Sequence, residues 1–332
     1  MTRVQAGPPD DDDGPIERSL EAGLRRKPLD AEAYARIHAA VTTEWKATIR
    51  PRSRWGTGRW GIAASLAAAV LVIAIGLRFY AATAVLGVAA RVEGDGLVSS
   101  STLLPERHIG VGGVLRVGDT LMARGAILVE LKGGGTLRIA NGTRFEVIAA
   151  DGVALHVGEI YVDLPPALPR TSTFIVHTAI GLVEHVGTQF DVATVDQDVR
   201  IRVREGSVRL RLRRGSETET AASGTELIVP KAGPTRQRTI PTHGPQWSWI
   251  EALEPDYDIE DRKLVDFLQW TARETGRRLS FSDDRARDVA ERTHLHGSIH
   301  GMPPATALEM VLTTTSLRYE FEEDLIRVSS GG

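Results

Sequence analysis

Three histidines near the C terminus have the residue type of metal ligands. His294 and His296 would lie on one face of a strand, and His300 follows shortly after them. Imidazole nitrogen is a common zinc ligand, but a zinc site needs further ligands, and no carboxylate stands at a suitable spacing from these histidines. The pattern therefore favours polar residues on a solvated strand face, and we predict no metal site.

The other groups of potentially catalytic residues also lack partners. Gly133-Gly134-Gly135 is not followed by the Gly-Lys-Ser/Thr ending of a phosphate-binding loop, so it indicates a turn. Ser207 lies outside a Gly-x-Ser-x-Gly elbow, and the sequence offers no histidine or aspartate partner for it. Asp283, Asp284 and Asp288 are expected on a loop and a helix edge. We predict that the chain is not an enzyme and uses no cofactor.

Composition narrows the function classes further. The 332 residues include no cysteine, which excludes disulfides, thiolate zinc sites and cysteine nucleophiles. The formal net charge is only -3, so no bulk basic surface for direct contact with nucleic acid is indicated. Aromatic residues make up only 5%, while glycine is plentiful, which favours turn-rich β structure. A chain of this length has room for two or three domains.

One apolar run, residues 60–77, contains no charged residue. As a helix it would be about 27 Å long, close to the thickness of the hydrocarbon core of a bilayer. A buried core helix and a secretory signal peptide ending at Ala82-Thr83-Ala84 are the alternatives. We predict a transmembrane helix over residues 60–80 that includes Trp60, Ile62, Leu66, Val70, Ile73 and Leu77.

The charges beside this run predict its orientation. Its N-terminal side is crowded with the basic residues Arg50, Arg52, Arg54 and Arg59. On the C-terminal side, Arg78 is followed by no further cation before Arg91. Positive charge beside a membrane span stays cytoplasmic, so residues 1–59 are expected inside and residues from about 80 onward outside.

Residues 1–59 are predicted to contain two short helices behind a solvated acidic tail. One helix follows Asp30 and ends before Pro51, and a shorter one covers residues 16–26. Two short helices cannot build a stable core, so their apolar stripes indicate a groove on a partner protein. Packing of the helices on each other or on the membrane surface is the alternative. The candidate partner-binding residues are Leu20, Leu24, Tyr34, Ile37, Val41 and Trp45.

Residues 107–230 are predicted to form an all-β domain, either a sandwich or a solenoid-like stack of strands, after a juxtamembrane segment 81–106. Apolar residues alternate through short runs, and the pair Asn141-Gly142 is a strong signal for a tight turn. The strands 199–203 and 208–212 are expected to be joined through Glu205-Gly206.

Two motifs in this region are similar to those of the FecR domain. VGTQFDV, residues 186–192, precedes VREGSV, residues 203–208, in the order that this family uses. The resemblance covers roughly residues 107–229. Glycine would relieve a crowded backbone position, and two apolar residues would share one strand face. We therefore interpret the motif pair as a structural corner rather than a catalytic site. Its main residues are Gly187, Thr188, Phe190, Val192, Glu205 and Gly206.

The C-terminal residues 256–330 have a different pattern and follow a proline-containing linker, residues 231–255. Apolar residues at helical spacing alternate with short strands in the predicted order β-α-β-β-α-β-β. This order, with LVDFLQWTARETGRRLSF and GMPPATALEMVLTTTSLRYEF, resembles the short N-terminal (STN) module of secretins and TonB-dependent receptors.

The FecR resemblance implies a single-pass regulator of the bacterial inner membrane, with a cytoplasmic N terminus and a periplasmic C terminus. Regulators of this family are anti-sigma factors. They bind an extracytoplasmic-function sigma factor and sense a TonB-dependent outer-membrane receptor through the signalling domain of that receptor. The resemblance therefore implies signal transduction and transcription regulation, often linked to iron transport. The alternative is an anchored envelope protein whose outer modules bind glycan or an envelope assembly, without a sigma-factor role.

Overall fold

Alternating apolar residues and glycine-containing turns divide residues 85–239 into short and long strands. The structure, a computed structural model, describes residues 84–99, 106–165, 174–213 and 218–331, all within the unit Val70–Gly332. The first strands are β1 Val85–Val92, β2 Leu97–Ser99, β3 Arg107–Ile109, β4 Val114–Arg116, β5 Thr120–Ala123, β6 Ile127–Leu131, β7 Thr136–Ile139 and β8 Arg144–Ala149. They are followed by β9 Gly152–Asp163, β10 Ile175–His177, β11 Gly181–Val195, β12 Asp198–Leu212, β13 Thr218–Ala222, β14 Thr225–Val229 and β15 Arg236–Thr239.

These fifteen described strands belong to one hydrogen-bonded sheet. Its main path runs β15-β14-β12-β11-β10-β9-β7-β6-β1-β4, and β2, β3, β5, β8 and β13 branch from it. Nearly all pairs are antiparallel, with β9 and β10 parallel. The predicted turn at residues 133–135 is confirmed, since it joins the antiparallel pair β6 and β7.

The long strands β9 and β12 bend and change partners along their length. The first half of β9 pairs with β8 and β10, and its second half pairs with β7 and β11. Gly158 lies at the change with a φ of 101°, and an added Cβ would stand 2.5 Å from the Cα of Thr143. Similarly, β12 pairs with β14 through Val199–Val203 and with β13 through Ser207–Arg211. Bending lets one sheet enclose its own apolar core.

The core of the sheet consists of alternate side chains from nearly every strand. Leu121, Phe145, Ile160, Phe190 and Ile201 are all fully buried in it. Each large apolar side chain removed from water contributes about 1.5–3 kcal/mol, so this core is the main source of stability for the β region.

The C-terminal residues form a helical layer on two small sheets. A 3-10 helix, Pro245–Trp247, precedes the helices α1 Ser248–Glu251, α2 Leu264–Glu274, α3 Asp284–Arg292 and α4 Pro304–Thr313. The strands are β16 Arg262–Lys263, β17 Arg278–Phe281, β18 His294–Leu295, β19 Leu317–Glu322 and β20 Leu325–Ser330. β16 pairs with β18, and the other three form a sheet in the order β17-β20-β19. Their shared core includes Phe267, Leu268, Leu308 and Ile326.

The predicted order of elements in this C-terminal part is wrong at one place, because an additional helix, α3, follows β17. Residues 257–259 are irregular, and the first strand of the order is β16. The Asp283 carboxylate caps α3 by accepting a hydrogen bond from the Ala286 amide at 2.7 Å. Ala286 and Ala290 are buried one helical turn apart. Small alanines give a weak apolar signal, which explains why the charged sequence indicated only a loop and a helix edge.

The predicted fold class is also wrong. It described a membrane-anchored set of separate parts: a helical segment, a transmembrane helix, an all-β solenoid or sandwich, and a small α/β module. The described residues are mostly β, and their C-terminal helices pack against the large sheet within one unit. Among those residues, no helix combines the length and apolar character needed to cross a bilayer. Local periodicity identifies strands and helices but carries little information about such long-range packing.

Two parts of that prediction lie outside the described residues. They are the helical segment 1–59 and the apolar run with Trp60, Ile62, Leu66, Val70, Ile73 and Leu77.

Candidate functional site

The two sequence motifs meet where β11 and β12 bend together. Val186 pairs with Ser207, whereas the next described pair is Gln189 with Glu205, so the register shifts between them. Gly206 has a φ of 77°, which favours glycine because a Cβ is strained in this region. Glu205-Gly206 is therefore a bend within one continuous strand rather than a turn between two strands. Gly187 and Thr188 belong to β11, but their surroundings lie outside the described residues.

Residues after the bend alternate between two buried faces of the sheet. Phe190 and Val192 point into the apolar core and are fully buried. Gln189 and Asp191 occupy the opposite face and are also buried. Because buried polar groups need partners, the second face must be covered by other polar or charged groups.

Helix α2 packs against the part of this face that contains Gln189. Gln189 donates a hydrogen bond from Nε2 to Oδ2 of Asp163 at 3.0 Å. The guanidinium of Arg273, on α2, forms ion pairs with Asp163 and Glu205 and donates to the carbonyl oxygen of Leu164 at 3.0 Å. Burial raises the pKa of Glu205, and the charge of Arg273 opposes that rise. Arg273 thus connects the second motif directly to the C-terminal helix.

The segment that includes the 3-10 helix and α1 also packs against this face. Arg204 donates from Nε to the carbonyl oxygen of Thr242 at 2.8 Å and pairs with Glu251 at 2.9 Å. Its guanidinium lies 5.3 Å from the ring centroid of Trp247, and Trp247 contacts Tyr161 edge-on. Burial raises the pKa of Tyr161, so the phenol stays neutral. The segment predicted as a linker therefore contributes buried side chains to the sheet face.

A buried ion pair joins the sheet to α2. Arg138 on β7 is fully buried and contacts Glu274 at 2.6 Å, while Glu274 is 3% exposed. Arg138 also donates to the carbonyl oxygen of Ile250 at 2.8 Å. Burial is the largest influence and lowers the pKa of Arg138, but the charge and hydrogen bond of Glu274, together with Tyr161 and Asp163, outweigh burial and raise that pKa. Removing either partner would leave a charge without compensation in a dry interface.

A ladder of charges continues across neighbouring strands of the same face. Arg200 contacts Glu159 at 2.6 Å, and Arg202 contacts Glu226 at 2.8 Å. Asp191 lies between them, 3.5 Å from Arg200. Burial and the neighbouring charge of Glu159 raise the pKa of Asp191 well above its usual value, despite the nearby arginines. This ladder holds the strands in register on the face that receives the C-terminal helices.

An open groove of about 820 Å³ runs between the second motif and the C-terminal part. Glu205 and Gly206 line one wall, and Trp270, Arg273 and Arg277 line the other. The motif pair therefore lies at a joint between two structural layers and beside a surface groove.

The three C-terminal histidines each have a carboxylate neighbour. Their Nδ1 atoms lie 3.0 Å from Asp261 for His294, 3.0 Å from Glu260 for His296 and 3.2 Å from Asp256 for His300. These partners stand more than thirty residues earlier in the chain, so spacing along the sequence did not indicate them. In the part of the chain that the structure describes, no group of three or more such residues could hold a metal ion.

The candidate partner-binding residues of the N-terminal segment lie outside the described residues. They are Leu20, Leu24, Tyr34, Ile37, Val41 and Trp45.

Comparison with known proteins assigns the β region. Residues 120–209 match the model of the family described as FecR protein. The chain carries a FecR domain. The resemblance inferred from VGTQFDV and VREGSV is therefore confirmed, because both motifs lie within the matched residues. The match ends before the C-terminal part, so the resemblance of that part to an STN module stays a prediction.

Structural comparison gives weaker similarity. Two crystal structures, at 2.50 Å and 1.65 Å resolution, show a proposed anti-sigma factor from Parabacteroides distasonis ATCC 8503. Each is 16% identical to this chain, with a TM-score of 0.33, and the alignment covers 63% of this chain and 96% of that one. A TM-score of this size does not establish a common fold, so the family match alone assigns the domain. No curated protein matches the chain.

Proposed function

We propose that this protein regulates a sigma factor. The observation that carries the proposal is the FecR domain at residues 120–209, whose motif pair lies at the joint with the C-terminal helices. The sequence supplies a complementary feature: Tyr34, Ile37, Val41 and Trp45 form one apolar stripe on a predicted helix. An amphipathic helix of this kind fits a hydrophobic groove on a partner. We propose that the stripe contacts an extracytoplasmic-function sigma factor.

A promoter assay tests the sigma-factor contact. The full-length chain is expressed with the candidate sigma factor and a reporter gene that this sigma factor transcribes. Trp45→Ala is expected to abolish both co-purification of the sigma factor and the effect on transcription, because it removes the largest apolar side chain of the stripe. Trp55→Ala is the matched control, since Trp55 lies beyond Pro51 and outside the predicted helix. Equal behaviour of the two variants and the parent chain would refute the contact.

The signal is proposed to come from a TonB-dependent outer-membrane receptor, often one for an iron chelate, in the periplasm. This part of the proposal is supported by the family resemblance and by the open groove beside the FecR motif. It requires residues 1–59 and the FecR domain to lie on opposite sides of the inner membrane. Deleting the receptor gene is expected to remove the response of the reporter to the chelate while leaving sigma-factor binding intact.

The absence of cysteine from the sequence makes the compartments directly testable. Single variants Gln5→Cys and Arg236→Cys place one thiol in the N-terminal segment and one on the exposed strand β15. A membrane-impermeant maleimide added to spheroplasts is expected to label Arg236→Cys and to label Gln5→Cys only after lysis. Equal labelling of both thiols in intact spheroplasts would contradict the proposed localisation.

A further inference from the structure

A small cavity of about 100 Å³ lies beside β1, and it shares Trp270 with the groove at the FecR motif. Its walls come from Arg91 on β1, from the segment 251–257, from Trp270 on α2 and from the loop 299–303. Three of its lining side chains are carboxylates, Glu251, Glu254 and Asp256, whereas Arg91 is the one cation among the lining residues described by the structure. The cavity therefore carries an excess of negative charge.

Two of these carboxylates are already neutralised by arginine. Glu251 pairs with Arg204 at 2.9 Å, and Asp256 pairs with Arg91 at 2.9 Å. Glu254, in contrast, has no such partner. Only 7% of its surface is exposed, yet it makes no hydrogen bond or ion pair to any other residue that the structure describes.

A buried carboxylate without a partner is costly when it is ionised. Burial, followed by the charge of Glu274, raises the pKa of Glu254 to about 8. Arg138 and Arg91 oppose the rise, but Arg138 is already paired with Glu274 and Arg91 with Asp256. Glu254 is consequently an acceptor whose counter-ion the described chain does not supply.

Aromatic rings complete the cavity. The rings of Tyr257 and Trp270 stack with their centroids 4.7 Å apart, and both residues line the space. Aromatic faces attract cations, and the attraction strengthens where water is excluded. The described residues include no group of three or more carboxylates and histidines arranged for a metal ion, which favours an organic cation.

We propose that this cavity binds an alkylammonium group, with Glu254 as its counter-ion and Tyr257 and Trp270 as its walls. The volume is comparable to about three water molecules in the liquid, which suits an ammonium nitrogen and two or three carbons. Two sources supply this chemistry: a free small amine, or the end of a lysine side chain from a partner polypeptide. Neither requires any role for the FecR motif or the N-terminal stripe.

Calorimetric titration of the full-length chain tests this assignment with two probes, propylammonium chloride and Nα-acetyl-lysine amide. Binding at pH 7 is expected to release close to one proton per cation, since Glu254 must ionise to pair with the ammonium. The proton count follows from repeating the titration in buffers of different ionisation enthalpy. The affinity is expected to rise about tenfold from pH 7 to pH 9, where Glu254 is ionised before binding.

Two variants separate the cavity from general surface charge. Glu254→Gln is expected to lose both binding and proton release, while it stays folded because glutamine resembles the protonated acid. Glu309→Gln, an exposed position on α4, is the matched control and is expected to bind as the parent does. Binding of propylammonium without binding of the lysine amide indicates a free amine as the source, and binding of the lysine amide, with or without propylammonium, indicates a side chain. Absence of binding by the parent chain, or unchanged binding and proton release in Glu254→Gln, would overturn the proposal.

Discussion

The ion pair between Arg138 and Glu274 joins the FecR domain to the C-terminal helices, and the structure predicts a large effect from Arg138→Met. Arg138 is fully buried, Glu274 is 3% exposed, and the charged atoms are 2.6 Å apart. Methionine preserves much of the side-chain volume but removes the charge and the hydrogen bond to the Ile250 carbonyl. Glu274 would then be buried without a counter-ion, next to the carboxylate of Glu254.

Breaking a buried pair by removing one partner costs about 3–5 kcal/mol, because the remaining charge is not solvated. The double variant Arg138→Met with Glu274→Met removes both charges. It leaves mainly the Ile250 carbonyl without its donor, which costs about 1–3 kcal/mol. The double variant is therefore expected to be more stable than Arg138→Met alone, with the second substitution recovering roughly 2 kcal/mol.

Urea unfolding of the full-length chain, followed by tryptophan fluorescence, measures these differences. Trp247 is a suitable reporter because it is fully buried at the same interface. Arg292→Met is the control: Arg292 forms an exposed pair with Asp288 within α3, so little change in stability is expected. A stability of Arg138→Met no lower than that of Arg292→Met, or a double variant as unstable as the single one, would contradict this role of the ion pair.

Three further predictions concern single sites. The free energy of unfolding of the parent chain, measured against that of Glu254→Gln, is expected to fall by at most about 4 kcal/mol as the pH rises from 4 to 8. The sign follows because the folded state holds the Glu254 proton up to about pH 8, whereas the unfolded state releases it near pH 4. Gly158→Ala is expected to destabilise more than Gly118→Ala in thermal unfolding. Both glycines have positive φ, but only at Gly158 would the new Cβ meet backbone, at 2.5 Å from Thr143. Asp283→Ala should cost about 1 kcal/mol through loss of the α3 cap, with Asp288→Ala at the exposed face as a near-neutral comparison in the same unfolding assay.

Several features of the fold were accessible from the sequence because they depend on near neighbours. The turn at residues 133–135 between β6 and β7 required only the glycine triplet between two alternating runs. The helices α2 and α4 followed from apolar residues at helical spacing, with Gly276 after α2 and Pro304 at the start of α4. The FecR motif pair was recognisable from the order of its residues, and the family match confirmed it.

Other features depended on residues distant in the chain and were missed. Glu205-Gly206 carries the local signal of a turn, but β12 continues through it because β11 shifts register beside it. The partners of the C-terminal histidines lie in the segment 256–261, which β16 and β18 bring alongside them. The site residues Arg138 and Glu254 gave no signal, and Arg204 stood within the VREGSV motif without any sign that its charge is buried, since nothing in an alternating strand or a short helix marks a buried charge.

The sequence by itself determined the alternation of the strands, the FecR motif pair, the absence of cysteine chemistry and the apolar stripe before residue 51. Each of these is written in residue type and spacing along the chain. Only the tertiary structure decided that Arg138 meets Glu274 and that Arg273 meets the FecR motif. It also decided that Glu254 has no counter-ion in the described chain. The physical reason is that burial, and with it the free energy of a charge, is set by what packs against a side chain from elsewhere in the chain.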